Sequence, residues 1–223
     1  MQIISRRVMT MKPDYERAAI KAAETLIKNQ IAAAPIDPMP ILKKIKNVLV
    51  LSFSEISDLM GFNRKDVIGM FGNGDAFTSY KDGRYIVTYN MRLPFHLQQR
   101  ALARELGHIV LKHDGSRPEE VREAEALCFA RHFLCPRALM KALDECPIPL
   151  NMHTLCDITG CDDRCVDAMQ KIPATFVPSE LNRLIKEQFG DYVRNCVDYY
   201  DIIKAEDNSP IVDFGTFMDG YRE

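Results

Sequence analysis

The stretch Arg104-Glu105-Leu106-Gly107-His108 lies inside a segment, residues 95–111, whose apolar residues recur at helical spacing. Residues four apart share one face of a helix, so Arg104 and His108 lie on the same stripe. The other members of that stripe are apolar: Leu97, Ala101 and Leu111. The spacing therefore predicts a helix that directs Arg104 and His108 towards the protein interior.

The same five residues are one substitution away from H-E-x-x-H, the helical motif of zinc peptidases. In that motif two imidazoles converge on one metal ion, and the glutamate between them activates a metal-bound water. Glu105 and His108 keep the glutamate and the second histidine, but Arg104 stands at the position of the first histidine. A guanidinium has no lone pair to give to a metal. The motif thus predicts a peptidase scaffold, while Arg104 argues against the metal.

A second helix is predicted over residues 118–134, because helical spacing continues to Leu134 and Pro136 follows. Glu123 lies on a stripe that is otherwise apolar: Leu127, Ala130 and Leu134. A carboxylate on an apolar face needs a partner, so we expect Glu123 to be the most buried acid of this helix. Glu125 has mixed neighbours on its own face and is expected to be less buried.

The remaining pattern predicts a mainly helical chain with one small sheet. A strand is expected over residues 48–53, and two more flank the hairpin signal Lys81-Asp82-Gly83. Further helices are predicted over residues 13–31, 39–45, 54–60, 152–158, 162–172 and 178–197, with a loosely attached tail from Tyr200.

Composition limits the classes of partner and the compartment. With 29 basic and 31 acidic side chains, the formal net charge is −2, which argues against a broad nucleic-acid-binding face. No apolar run is long enough to span a bilayer, and the N-terminal residues do not form a signal segment. Seven cysteines, an odd number, fit free thiols in a reducing compartment. We expect a cytoplasmic protein without a membrane partner.

Two motifs on the predicted helix pair occur together at a specific spacing. The first comprises Arg100, Ala103 and residues 105–108, and the second comprises residues 123–130 with Leu134-Cys135-Pro136. Together they resemble the ImmA/IrrE family of metallopeptidases. The segments at 35–38 and 85–90 and the helix pair around Gly160 are also similar to family features, so the resemblance covers about residues 12–175. It implies a zinc-dependent cytoplasmic protease that cleaves a helix-turn-helix repressor of a phage, a mobile element or a stress operon.

Under this resemblance, His108 matches the second histidine ligand of zinc, Glu105 the general base and Glu123 the third ligand. At Arg104 the match fails. A guanidinium about 5 Å from a divalent ion costs roughly 7 kcal/mol at an effective dielectric of about 20. We therefore predict that Arg104 replaces the metal electrostatically, with a nitrogen in hydrogen-bonding distance of Glu123 and a second contact to Glu105. This favours a zinc-free relative that binds the repressor without cutting it.

The expected architecture is α+β. A mainly helical, zincin-like metallopeptidase domain with a sheet of about three strands is expected over residues 12–140. A small helical subdomain similar to a helix-turn-helix follows over residues 141–200, and residues 201–223 form a tail. The alternative to a zinc-free binder is an active zinc endopeptidase in which another group completes the coordination shell.

Other candidate ligands are assigned to packing. The spacing of His153, Cys156, Cys161 and Cys165 misses the C-x2-C pattern of structural zinc sites, and free cysteines are commonly buried. His113 and His132 are expected at the surface, although His113 could reach His108 if the site helix ends early. The helix pair around Gly160 is acidic, which opposes contact with phosphates. Its acidic residues are Asp157, Asp162, Asp163 and Asp167.

Overall fold

The computed structural model describes residues 11–63, 65–67, 74–114, 116–172 and 176–206. The helices are α1 (Tyr15–Lys28), α2 (Met39–Lys44), α3 (Phe53–Met60), α4 (Phe95–Val110), α5 (Glu119–Leu134), α6 (Arg137–Asp144), α7 (Met152–Thr159), α8 (Asp163–Lys171), α9 (Ser179–Gln188) and α10 (Gly190–Glu206). The strands are β1 (Val48–Ser52), β2 (Ala76–Lys81) and β3 (Arg84–Tyr89). The expected α+β class, mainly helical with a small sheet, is confirmed.

The three strands form one mixed sheet in the order β1-β3-β2. β2 and β3 are antiparallel and pair Lys81 with Arg84, so Asp82-Gly83 is a two-residue hairpin loop. Both loop residues have positive φ, 50° for Asp82 and 78° for Gly83, as such a tight turn requires. β1 pairs in parallel with β3. Within the described residues, β2 therefore has one edge that no strand covers.

Helices α4 and α5 pack closely against each other, and α4 also lies against β2 and β3. Gly107 makes the close approach possible. A Cβ added there would lie 3.1 Å from the Ala126 carbonyl oxygen and 3.1 Å from Phe129 Cδ1. The glycine inside the site motif thus serves helix packing, and it brings the polar face of α4 next to α5.

The larger of two apolar clusters in the described residues connects α1 to α9 and α10. It begins with an alanine-rich face of α1, passes through Leu106 and Phe129, and includes Phe189 and Tyr192 near the junction of α9 and α10. Packing therefore joins residues on both sides of position 140, where a boundary between a main domain and a helical subdomain is predicted. That division stays a prediction.

Helix predictions near the C-terminus were partly wrong. The single helix predicted over residues 178–197 is two helices, α9 and α10, which meet at Phe189. Phe189 is fully buried, so the break directs a large side chain into the core. Helix α10 continues to Glu206, past the predicted start of the tail, and residues 207–223 lie outside the described residues. No helix in the described part of the chain is long and apolar enough to cross a membrane.

Candidate functional site

The residues singled out by the motif line one cleft between α4, α5 and β2. Arg104, Glu105 and His108 come from α4, and Glu123 comes from α5. The cleft has a volume of about 900 Å³. Its opposite wall is the uncovered edge strand, which contributes Ala76, Phe77, Thr78 and Tyr80. The structure thus brings together all four side chains that the sequence predicts for the site.

Arg104 is the centre of the polar contacts in this cleft. Its Nη1 donates to Glu123 Oε2 at 2.7 Å, and its Nη2 donates to Glu105 Oε1 at 2.5 Å. Nη2 also donates to the carbonyl oxygen of Ala76 at 2.7 Å, which joins α4 to β2. Burial alone would lower the pKa of Arg104, but the charges of Glu105 and Glu123 raise it overall. The guanidinium is therefore a fixed cation with both Nη atoms engaged.

The two carboxylates bound by Arg104 lie in different environments. The Glu105 side chain is 2% exposed, whereas that of Glu123 is 41% exposed. Glu123 Oε1 also lies 3.1 Å from His108 Nε2. The hydrogen bond with His108 lowers the pKa of Glu123 to about 2 against the opposing effect of burial, and the charge of Arg104 adds to the shift. Glu123 is therefore an ionised acid at neutral pH.

Behind His108 lies a buried polar chain. His108 Nδ1 is 2.9 Å from His113 Nδ1, and His113 Nε2 is 2.9 Å from Glu125 Oε2. Arg117 Nη1 donates to both Glu125 oxygens at 2.6 and 2.7 Å, and the backbone N–H of Asp14 donates to Oε1 at 2.8 Å. Burial opposes ionisation of Glu125, but these donors lower its pKa overall.

The hydrogen bonds of this chain fix where protons must lie. His108 Nε2 and His113 Nε2 both face carboxylates, so each of these nitrogens carries a hydrogen. The contact between the two Nδ1 atoms then needs a third proton. Burial lowers the pKa of His113. The contacts therefore engage both nitrogens of His108, Nε2 with Glu123 and Nδ1 with His113.

Two expectations about burial were wrong. Glu125, with 0% exposure, is the most buried acid of α5, and Glu123 is not. His132 is also buried, with its Nε2 unpartnered among the described residues, and burial, with a smaller effect of Arg137, lowers its pKa to about 4.

The environment of His113 also differs from the surface position expected for it. Its side chain is enclosed, because α4 ends at Val110 and Lys112 adopts a positive φ of 54° that turns the chain back. Contact with His108 was predicted only for the case that the site helix ends early, and the spacing of five residues did not itself indicate it. No sequence signal identified Asp14 or Arg117.

The donor set can be tested against the zinc that the resemblance implies. His108 and Glu123 could supply two donors, and Glu105 has the position of a general base. The first ligand position holds Arg104, a cation that hydrogen-bonds Glu123. His108 is engaged on both nitrogens. In the arrangement described, these residues therefore do not fit a zinc ion held by three protein ligands.

The second candidate metal site, formed by His153, Cys156, Cys161 and Cys165, is not assembled among the described residues. Within the described residues, no cluster of three or more histidine, cysteine or acidic side chains could hold a metal ion. Cys165 is buried and Cys156 packs partly buried against the core, as expected for packing residues.

Comparison with known proteins supports the scaffold assignment. The family model described as IrrE N-terminal-like domain, of the M78 peptidases, matches residues 68–146. The matched range contains the β2–β3 hairpin, α4 and α5, and so the whole of the Arg104 site. No curated protein and no solved structure matches the chain. Residues 68–146, which include Glu105, His108 and Glu123, are therefore similar to the IrrE N-terminal-like domain of the M78 peptidases.

Proposed function

We propose that this metallopeptidase-family protein works by binding a protein segment in the cleft beside Arg104, without a catalytic zinc ion. The observation that carries the proposal is the pair of contacts from Arg104 to Glu105 and Glu123. A cation already balances the two acids that a divalent ion would otherwise balance. A zinc ion beside it would meet repulsion of roughly 7 kcal/mol at about 5 Å and an effective dielectric of about 20.

The same contacts oppose hydrolysis. A general base must present a free oxygen to the water that attacks the scissile carbonyl. Glu105 Oε1 instead accepts a hydrogen bond from Arg104, and the side chain is 2% exposed. Glu105, which matches the general base, is thus held by Arg104, which replaces the first histidine ligand.

The cleft retains features that suit an extended peptide. β2 forms one wall and has an edge that no described strand covers. Apart from the Ala76 carbonyl, which accepts from Arg104, such an edge offers backbone donors and acceptors to an added strand. Thr78, on the same strand, also lines the cleft. Tyr80, an exposed aromatic residue at the far end of β2, offers a surface for a side chain of the bound segment.

The partner we propose is a helix-turn-helix repressor encoded by a phage, a mobile element or a stress operon. Support for this partner comes from the ImmA/IrrE resemblance, because that family acts on such repressors. The near-neutral charge of the chain favours a protein partner over direct binding to nucleic acid. Seven cysteines, all of them free thiols, suit the cytoplasm, where we propose that the complex forms.

Zinc content tests the proposal. We expect less than about 0.1 zinc per chain for the purified wild type, and about one per chain for Arg104→His, which restores a third donor. Arg104→Gln is the matched control, since it removes the cation without adding an imidazole, and it should stay nearly zinc-free. Elemental analysis after dialysis against excess zinc measures all three.

An active zinc endopeptidase is the second candidate, because Glu105, His108 and Glu123 keep the spacing of the family motif. One zinc per wild-type chain that disappears in Glu123→Ala would favour this candidate and contradict a zinc-free binder. A zinc-free Arg104→His variant would instead contradict the role given to position 104.

A further inference from the structure

We propose that a second cavity beside Arg104, here called the arginine pocket, binds a carboxylate of the protein segment held in the cleft. This inference rests on the proposed function and names the chemistry that the segment must carry. The pocket has a volume of about 470 Å³. It is defined by four arginines and two aspartates: Arg100, Arg104, Arg131, Arg164, Asp75 and Asp162.

The pocket joins elements that are distant in sequence. Arg100 and Arg104 lie one helical turn apart on α4, Arg131 lies on α5 and Arg164 lies on α8. Arg104 and Gly74 line both this pocket and the cleft along β2, so the two cavities meet at Arg104. A segment bound along β2 can therefore direct a side chain past Arg104 into the pocket.

The arginines are unequally neutralised. Arg100 Nη1 donates to Asp162 Oδ2 at 2.7 Å, and its Nη2 lies 3.8 Å from Asp75 Oδ2. Arg104 is held by Glu105 and Glu123. Among the described residues, neither Arg131 nor Arg164 has a carboxylate partner. The pocket thus offers two guanidinium groups whose charge is not balanced by the protein.

Cations concentrated in a concave site attract an anion that can replace some of their water. The wall also includes Leu127 and Leu134, which suit the aliphatic stem of a glutamate. Asp75 and Asp162 in the same wall would repel a run of phosphates, as in nucleic acid. One carboxylate, from an acidic side chain or a chain terminus, matches this combination better than a polyanion does.

Arg131→Gln with Arg164→Gln removes the unbalanced charges. Because neither arginine has an ion-pair partner in the described structure, the double variant should keep the wild-type melting temperature. The matched control is Arg183→Gln with Arg194→Gln. It changes net charge equally, but its arginines lie on α9 and α10 and line neither cavity.

The probe is a random heptapeptide library, displayed through its C-terminus and selected on immobilised wild type and on each double variant. We expect Asp or Glu to be enriched at one position with wild type and with the control, and not with Arg131→Gln/Arg164→Gln. A selected peptide made in solution should bind this variant about tenfold or more weakly, the effect of losing charge-assisted hydrogen bonds. Its Glu→Gln form should show a similar loss with wild type.

Other outcomes overturn the inference in distinguishable ways. Selection of peptides without a preference for Asp or Glu would contradict carboxylate binding in the arginine pocket. It would leave the proposed peptide binding in the cleft intact. No peptide enriched over the uncoated support would contradict both. An oligonucleotide whose binding needs Arg131 and Arg164, without any acidic peptide, would assign the pocket to phosphate. If an amidated acidic peptide binds weakly and the free C-terminus restores binding, the carboxylate comes from a chain end; otherwise it is a side chain.

Discussion

Arg104 and a histidine at the same position would balance the negative charge of Glu123 by different means. Histidine does so through a shared zinc ion, which brings a Lewis acid and a water with it. Arginine does so directly, through an N–H···O contact of 2.7 Å, and brings no reactive species. In this structure, Arg104 thus joins Glu105 and Glu123 in one ion-pair cluster.

Replacing Arg104 tests how far Glu105 depends on it. Arg104→Gln leaves a carboxylate that is 2% exposed without its cation, and we expect a loss of about 2 kcal/mol in the free energy of unfolding. Adding Glu105→Gln removes the buried charge and should recover at least half of the loss. Urea unfolding followed by far-UV circular dichroism measures both variants. Equal stability of the single and double variants would show that Glu105 is not held by this pairing.

His132 makes stability depend on pH. Burial and the nearby charge of Arg137 lower its pKa to about 4, against about 6.5 in an unfolded chain. Between these values the unfolded state binds the extra proton, so stability falls as pH decreases from 6.5 towards 4. We expect this residue to contribute about 2 kcal/mol of loss between pH 7 and pH 5. His132→Gln should lose that much less over the same interval; an unchanged pH dependence would contradict the assignment.

Contacts in the site could be predicted from the sequence where both residues lie on recognisable helix faces. Arg104 and Glu123 meet because the stripes of α4 and α5 face each other, and stripes can be found from spacing alone. The burial of Glu125 could not be predicted in this way. Helix α5 has a second buried side, towards α1. The groups that donate to Glu125 come from Asp14, which is distant in sequence, and from Arg117, in the loop before α5. A single apolar stripe does not reveal a helix that is covered on several faces.

At the scale of elements, Gly160, in the turn between α7 and α8, packs closely against Pro35 in the connector after α1. Gly160 has φ of +68°, and an added Cβ would lie 2.3 Å from Pro35 Cβ. Gly61, at the end of α3, has φ of +65° but no atom within 4 Å of such a Cβ. The two glycines therefore share a left-handed backbone conformation and differ in packing.

Alanine at these two positions separates strain from overlap. Gly61→Ala should cost about 1 kcal/mol of unfolding free energy from the left-handed backbone alone. Gly160→Ala should cost about 3 kcal/mol, because overlap with Pro35 is added to the same strain. Chemical denaturation of both variants gives the comparison. Similar losses at the two sites would mean that the connector moves away from the turn without difficulty.

The elements predicted correctly are those that nearby residues specify. The Asp82-Gly83 turn and the long apolar stripes of α4 and α5 specify their structures from nearby residues. Helix α6, of eight residues between Pro136 and Glu145, was not predicted, although α3 and α7 have the same length and were. The parallel pairing of β1 with β3 depends on contacts across more than 30 residues, which no local pattern encodes.

At the scale of the whole molecule, the C-terminal helices belong to the same core as the site. Tyr192 is buried and its hydroxyl donates to the carbonyl oxygen of Ile158 at 2.5 Å. Gln188 Nε2 donates to the carbonyl oxygen of Leu26 at 3.2 Å, which joins α9 to α1. Helix α1 in turn packs on α5, which carries Glu123. A substitution that destabilises the C-terminal helices should therefore also destabilise the helices that carry the site.

Phe189→Ala measures this connection. Removing a fully buried phenylalanine should cost about 4 kcal/mol. If the core unfolds as one unit, protection of the Leu106 amide in α4 from hydrogen exchange should fall by the same free energy as protection in α9. Ile202→Ala, at an exposed position on α10, is the control and should change neither by more than about 0.5 kcal/mol. Loss of protection in α9 with none at Leu106 would mean that the C-terminal helices unfold separately, as a domain boundary near residue 140 would allow.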